Sequence, residues 1–281
     1  MNELDKSFQY LSFFNLREPP YSLVPVSHIF FPAKKQLQIL DIIKFSILQG
    51  SLITVIVGEP GVGKTQVLLT LLSSLPQDSF QRIEILNPAL TPDELIKSIC
   101  YQLKLENNID SINQDLVLRE LRERLTEMKK KQGKILLIID EAQLLPDDTL
   151  EKLRLLTNLN QGTDPILQII LVGQPALKAK LSEEKFLPLR QRISVFEELK
   201  PLEKDELIPY IWFRINQVSE NAEINFKENI LRLLYKWTKG NPRLVNKLMD
   251  RTLFVAYSKQ ERLITKKHLK EAKATFEALL L

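Results

Sequence analysis

One cysteine, Cys100, stands among 281 residues, so no internal disulfide framework holds this chain together. Such sparing use of thiols fits a reducing compartment. Placed on a helix, Cys100 is expected to be a small buried side chain. Two histidines and one cysteine also fall short of the ligands of a structural zinc site. Long hydrophobic runs are missing too. The longest, Leu52 to Val57 and Ile135 to Ile139, are far below the ~20 residues that cross a bilayer, and have the length of buried strands. Met1 to Tyr10 carries Glu3, Asp5 and Lys6 where a secretory leader would be apolar, so no leader is expected. There is no internal repeat and no low-complexity tract. Nor does either sign of charge dominate: the net charge is +4, too small to name a partner. From Pro201 onward fifteen Lys and Arg face ten Asp and Glu, whereas the preceding residues hold 24 against 25. A mildly basic C-terminal third is either a solvated surface or a contact for nucleic acid or anionic lipid.

What is present is the composition of an ordinary globular protein, 44% hydrophobic and 26% charged. Phe13 to Pro32 holds Pro19, Pro20, Pro25 and Pro32 among aromatics and is expected to be extended or irregular. A helix is predicted from Ala33 to about Gln49, closed by Gly50. Strand-like and helix-like segments then alternate. Leu52 to Val57 reads as a strand, Val62 to Leu75 as a helix, and Arg82 to Leu86 as a second short strand. Thr91-Pro92-Asp93-Glu94 combines an N-cap, a proline at the first helical position and acidic first-turn residues, so a helix begins there. Leu118, Leu121, Leu125 and Met128 recur at three and four and mark another. Ile135 to Ile139, Ile166 to Val172 and Ile193 to Phe196 read as strands, with a helix from Asp147 to Leu159. This alternation gives parallel strands with helices on both faces.

After Pro201 the pattern changes. No strand is predicted, and helices are drawn at about Lys204 to Val218, Lys227 to Trp237, Pro242 to Tyr257 and Thr265 to Ala278. Phe226, Ile230, Leu233, Leu234 and Trp237 form a stripe read as the core of a small helical domain. The expected organisation is an α/β domain over residues 1–200, with an extended N-terminal segment, and a helical lid over residues 201–281.

Two segments carry chemistry. Gly58-Glu59-Pro60-Gly61-Val62-Gly63-Lys64-Thr65 fits G-x-x-x-x-G-K-[ST] between an apolar strand and a helix. The pattern arises by chance in roughly one chain in a hundred of this length, and its strand-loop-helix setting lowers that further. Glycines let the backbone wrap phosphates, so that successive N–H groups and the helix start, through Gln66, point at the anion. Lys64 is placed to reach the β- and γ-phosphates of ATP, and Thr65 to offer its hydroxyl to Mg²⁺. Ile135 to Ile139 then ends in Asp140 and Glu141, and ligands collect at the carboxyl ends of parallel strands. Asp140 is assigned to Mg²⁺ and Glu141 to deprotonating the attacking water.

The spacing of these motifs, ahead of a helical segment, resembles the AAA+ P-loop ATPases. Within them it is most similar to the ExeA/GspA type associated with bacterial general secretion and related pilus systems. Phe14 to Ser22, Ile139-Asp140-Glu141-Ala142-Gln143, Glu151 to Leu159, Gln168 to Pro175, Leu189 to Ile193 and Gly240-Asn241-Pro242-Arg243-Leu244 carry the resemblance over nearly the whole chain. It implies a P-loop sheet followed by a helical lid. It also implies roles: Gln174 as the sensor-1 residue beside Glu141, Asn87 as a switch that restrains Glu141, and Arg243 as the sensor-2 arginine at the β,γ-phosphates. Arg192, with Arg190 as the alternative, matches the arginine finger that enters a neighbouring subunit's site. Adenine is expected between the N-terminal segment and the lid, among Tyr21 to Phe31 and Ile208 to Ile211.

The resemblance further implies a nucleotide-dependent oligomer, a membrane-associated secretion or pilus partner, and a cytoplasmic location peripheral to the inner membrane through that partner. ExeA-like proteins commonly continue into a transmembrane helix and a peptidoglycan-binding domain, whereas this sequence ends after its helical segment. Either it is a short member or a piece of a longer protein. A DNA-bound AAA+ regulator is the competing expectation, supported by the basic C-terminal third and Lys266-Lys267-His268. A nucleotide-gated scaffold without turnover is the third, and the presence of Glu141 argues against it.

Overall fold

The computed structural model describes residues 9–24, 29–86, 88–105, 114–131, 133–160, 165–227 and 229–277. The elements run α1 (Lys34–Leu48), β1 (Ile53–Gly58), α2 (Lys64–Ser74), β2 (Phe80–Ile85), α3 (Pro92–Gln102) and α4 (Gln114–Lys130). They continue with β3 (Lys134–Ile139), α5 (Asp147–Thr157), β4 (Leu167–Gly173), α6 (Pro175–Ser182), α7 (Leu187–Arg190) and β5 (Ile193–Leu199). The C-terminal part holds α8 (Leu207–Asn216), β6 (Asn225–Phe226), α9 (Asn229–Thr238), α10 (Pro242–Ser258), β7 (Leu263–Ile264) and α11 (Lys266–Glu277). Two compact units divide the chain: residues 35–60 with 70–199, and residues 1–34 with 61–69 and 200–281.

The first unit is built on a five-stranded parallel sheet in the order β2-β3-β4-β1-β5. Every residue of β1 and β4, and Ile135 to Ile139 of β3, is buried. Strands covered on both faces read as continuous apolar runs, which is why these three stand out in the sequence. The edge strands β2 and β5 are partly exposed, and their patterns are correspondingly mixed. Ile53, Val55 and Val57 share one face with Ile135, Leu137 and Ile139 and with Leu167, Ile169 and Leu171. Leu95 and Ile99 of α3 and Leu150, Leu153 and Leu156 of α5 join them in one core. Cys100 lies buried in that core, and burial, ahead of the nearby Glu120, pushes its thiol up to about 11. It is an inert packing residue.

The predicted start of α3 is present as a full capping box. Thr91 Oγ1 accepts from the Glu94 N–H at 3.4 Å, and Glu94 Oε2 accepts from the Thr91 N–H at 2.8 Å. On α4, Leu121 and Leu125 are buried and Met128 packs against the core. The Leu118 side chain lies outside what is described. No described helix is long and apolar enough to cross a membrane.

The second unit gathers α8 to α11 around a core that includes Tyr210, Ile215, Leu234, Met249, Leu253 and Leu269. The proline-rich N-terminal segment belongs to the same core through Tyr10, Phe14, Leu16 and Tyr21. Arg214 of α8 fixes it, donating from Nε to the Pro20 carbonyl and from Nη2 to the Ser22 carbonyl, both at 2.7 Å. Contrary to the expectation of no strand after Pro201, β6 and β7 pair in parallel, Asn225 with Leu263 and Phe226 with Ile264. Two residues are too few to display a period-two pattern.

Candidate functional site

β1 delivers the chain to Gly58 at the carboxyl edge of the sheet, and the loop from Glu59 to Gly63 leads into α2. Gly61 and Gly63 adopt the left-handed region, at φ +84° and +104°. Helical hydrogen bonding starts with the Val67 N–H on the Gly63 carbonyl at 2.9 Å. The N–H groups of Lys64, Thr65 and Gln66 therefore belong to the turn that has no carbonyl four residues earlier within the helix, the geometry that receives anions. Lys64 is buried in the first turn of the helix. Thr65 is exposed.

In the same unit, the start of α10 lies on the loop. Asn241 caps that helix, its Oδ1 accepting from the Arg243 N–H at 3.1 Å and the Leu244 N–H at 3.3 Å. The Arg243 N–H also donates to the Gly61 carbonyl at 3.2 Å. A Cβ on Gly61 would stand 2.6 Å from Arg243 Cβ and 2.8 Å from Asn241 Oδ1. Glycine is required there for its conformation and for this approach. Thus the structure brings the Arg243 backbone to the phosphate loop.

The acidic segment, Asp140 and Glu141, follows β3 in the sheet unit. Asp140 extends the β2–β3 ladder by one bond, its N–H on the Ile85 carbonyl at 3.3 Å, and its Oδ1 accepts from the Glu141 N–H at 2.8 Å. Glu141 then turns the chain at φ +50°, a left-handed conformation worth about 1–3 kcal/mol of strain in a residue with a Cβ. Its Oε2 accepts from Gln174 Nε2 at 2.9 Å and from Gln143 Nε2 at 2.6 Å. The β3–β4 register ends at Ile139↔Leu171, two residues before Glu141, and β4 pairs on its other side with β1, Gly173 with Val57. The strand carrying the phosphate loop is two strands away, about 10 Å.

Sequence reasoning placed Gln174 beside Glu141, and the two meet. It gave no role to Gln143, which stood only as the last residue of the Ile139-Asp140-Glu141-Ala142-Gln143 segment that carries the resemblance. Asn87 lies outside the described residues, as do residues 25–28 of the adenine candidates. Of the remainder, Tyr21 and Ile211 are packed in the helical core while Ile208 is exposed. Burial, ahead of the neighbouring Tyr10 and Tyr210, raises the Tyr21 hydroxyl well above its ordinary value.

The two arginine candidates differ. Arg190 Nη1 donates to the carbonyls of Leu181 at 2.8 Å and Glu183 at 3.0 Å, closing the end of α6. Arg192 makes a side-chain bond, from Nη2 to Asn158 Oδ1 at 2.9 Å. It precedes β5 at the amino edge of the sheet, whereas Glu141 follows β3 at the carboxyl edge. A seven-residue strand is about 20 Å long, so Arg192 is not brought to its own chain's Glu141. His268 corrects one expectation: it is buried, 3.0 Å from Glu261 through Nε2, and its Nδ1 accepts from the Thr265 N–H. Alternate burial along α11 turns it inward, and only the lysines of Lys266-Lys267-His268 face solvent.

A five-stranded parallel sheet with one strand between the phosphate-loop strand and the acidic strand is a P-loop NTPase fold. A family model for the AAA domain matches residues 47–181. Over 250 residues the chain is 33% identical to General secretion pathway protein A of Aeromonas hydrophila, covering 89% of this chain and 45% of that protein. It therefore spans less than half of that relative's length. Among solved structures it is similar to Cdc6p of Pyrobaculum aerophilum, at 18% identity over 91% of this chain and 70% of the other, with a TM-score of 0.66. It is also similar to a Walker-type ATPase of Pyrococcus abyssi, at 20% identity over 93% and 78%, with a TM-score of 0.60. The AAA-domain match and this identity support a P-loop protein of the AAA+ class, similar to general secretion pathway protein A.

Proposed function

We propose that this chain binds ATP with Mg²⁺ and hydrolyses it, as an oligomeric switch serving a bacterial secretion or pilus apparatus. The observation that supports hydrolysis most directly is the carboxylate of Glu141, held by two amides at the sheet edge from which the phosphate loop departs. In this reading the amides of Gly61 to Gln66 and the Lys64 ammonium bind the phosphates, with Gly58, Glu59, Pro60 and Val62 shaping the loop. Glu141 takes the proton of the attacking water, and Gln174 orients that water. Arg243 answers to the β,γ-phosphates from the helical part. Thr65 and Asp140 fit Mg²⁺, since a hydroxyl and a carboxylate are the hard oxygen donors it prefers. The metal would neutralise charge on the β- and γ-oxygens.

Arg192, remote from its own Glu141 and held by an exposed side-chain bond, suits a role in a neighbour's site better than Arg190. The secretion role rests on the general secretion pathway relative, and a location at the inner membrane through a partner rests on it as well. Phosphate release tests the enzymatic part. Glu141→Gln should lower turnover by about 10²–10⁴ while retaining nucleotide binding. Equal rates would leave a scaffold that binds without turnover.

A second reading has one specific observation behind it. Residues 229–277 hold twelve Lys and Arg against four Asp and Glu, an excess of eight. A DNA-bound regulator would use that excess on phosphates, and its DNA affinity would fall steeply with salt. Absence of ATP-dependent DNA binding at low salt removes this reading.

A further inference from the structure

Glu141, Gln143 and Gln174 close a ring of hydrogen bonds. Gln143 uses both ends of its amide: Nε2 donates to Glu141 Oε2 at 2.6 Å, and Oε1 accepts the main-chain N–H of Gln174 at 2.9 Å. Gln174 Nε2 returns to the same Glu141 oxygen at 2.9 Å. The surroundings are shaped for this amide. Ala142 is fully buried and anchors the short turn that carries Gln143, with the Leu144 N–H on the Glu141 carbonyl at 2.9 Å. A Cβ on Gly173 would stand 3.0 Å from Gln143 Oε1 and 2.8 Å from Leu177 Cδ2, so glycine at the end of β4 leaves the space the amide fills. Only a side chain of this length with a donor and an acceptor satisfies both neighbours.

We propose that Gln143 is the positioning residue for the Glu141 carboxylate, coupling its orientation to the main chain at the end of β4. The proposal rests on the reading of Glu141 as the base. A glutamate has three side-chain torsions, and donors on one oxygen fix which way the carboxylate faces. Movement of the Gln174 backbone is passed through Gln143 to the base.

Two variants separate the parts of this role. Gln143→Met keeps the length but has no donor. Gln143→Glu keeps an acceptor for the Gln174 N–H and replaces the donor by a second carboxylate. Both are expected to lower kcat for ATP by about 10- to 100-fold, the effect of one charge-assisted hydrogen bond, with nucleotide Kd changed less than about twofold. A readout independent of turnover accompanies this: in crystals of Gln143→Met the Glu141 carboxylate should leave the orientation it holds in the native protein, while the Gln174 main chain stays in place. A glutamine that only braces the Gln174 backbone would leave Gln143→Glu like the native protein in rate, with the carboxylate unmoved, and that result overturns the proposal. Native protein without turnover would overturn the base reading instead. The carboxylate orientation then decides the positioning role alone, and an unchanged orientation in Gln143→Met overturns it.

Discussion

Gly61→Ala adds one methyl group at the point where the phosphate loop meets the start of α10. Two effects follow. Alanine at φ +84° carries about 1–2 kcal/mol of left-handed strain. Its Cβ would also lie 2.6 Å from Arg243 Cβ, roughly 1 Å inside an ordinary carbon contact, and overpacking of this kind costs about 1–3 kcal/mol. The combined penalty is therefore about 2–5 kcal/mol, shared between a lower thermal midpoint and weaker affinity for a non-hydrolysable ATP analogue. The two parts can be separated. Arg243→Gly removes the nearer of the two close contacts but leaves Asn241 Oδ1 and the strain, so the double variant should recover about 1–2 kcal/mol relative to the sum of the single effects. Thermal midpoints and nucleotide affinities of the four proteins complete the cycle. Additivity within about 0.5 kcal/mol would refute the close approach of loop and helix.

Gln168 of β4 is buried, and among the described residues neither end of its amide has a hydrogen-bond partner. Gln168→Met should raise stability by about 1–3 kcal/mol, seen as a higher thermal midpoint; a fall would show that the amide is satisfied in solution. Turnover per subunit should rise with protein concentration, and Arg192→Ala should reduce it by about 10³ or more and abolish that rise. Arg190→Ala should instead lower stability by about 1–2 kcal/mol through its lost carbonyl contacts, and the opposite pattern would exchange their roles.

Legibility in the sequence followed how local each cause is. β1, β3 and β4 are buried on both faces, so their apolar runs announce them without knowledge of their neighbours. The capping box at Thr91 and the phosphate loop are contiguous in the chain and were readable for the same reason. Gln143 was not, because its meaning depends on Gln174, thirty-one residues later. The same holds for the N-terminal segment, where Arg214 reaches Pro20 across 194 residues, and for the inward turn of His268. Tertiary pairing decides these, and nothing in the local pattern reports it. Gln174 was placed near Glu141 by family resemblance and not by any periodicity of its own.

The most direct measurement is a crystal structure with a non-hydrolysable ATP analogue and Mg²⁺. Density for the triphosphate along the main-chain N–H groups from Gly61 to Gln66, with the ion between Thr65 and Asp140 and Glu141 facing the terminal phosphate, is the expected result. Nucleotide bound elsewhere, or Glu141 remote from the terminal phosphate, would contradict it.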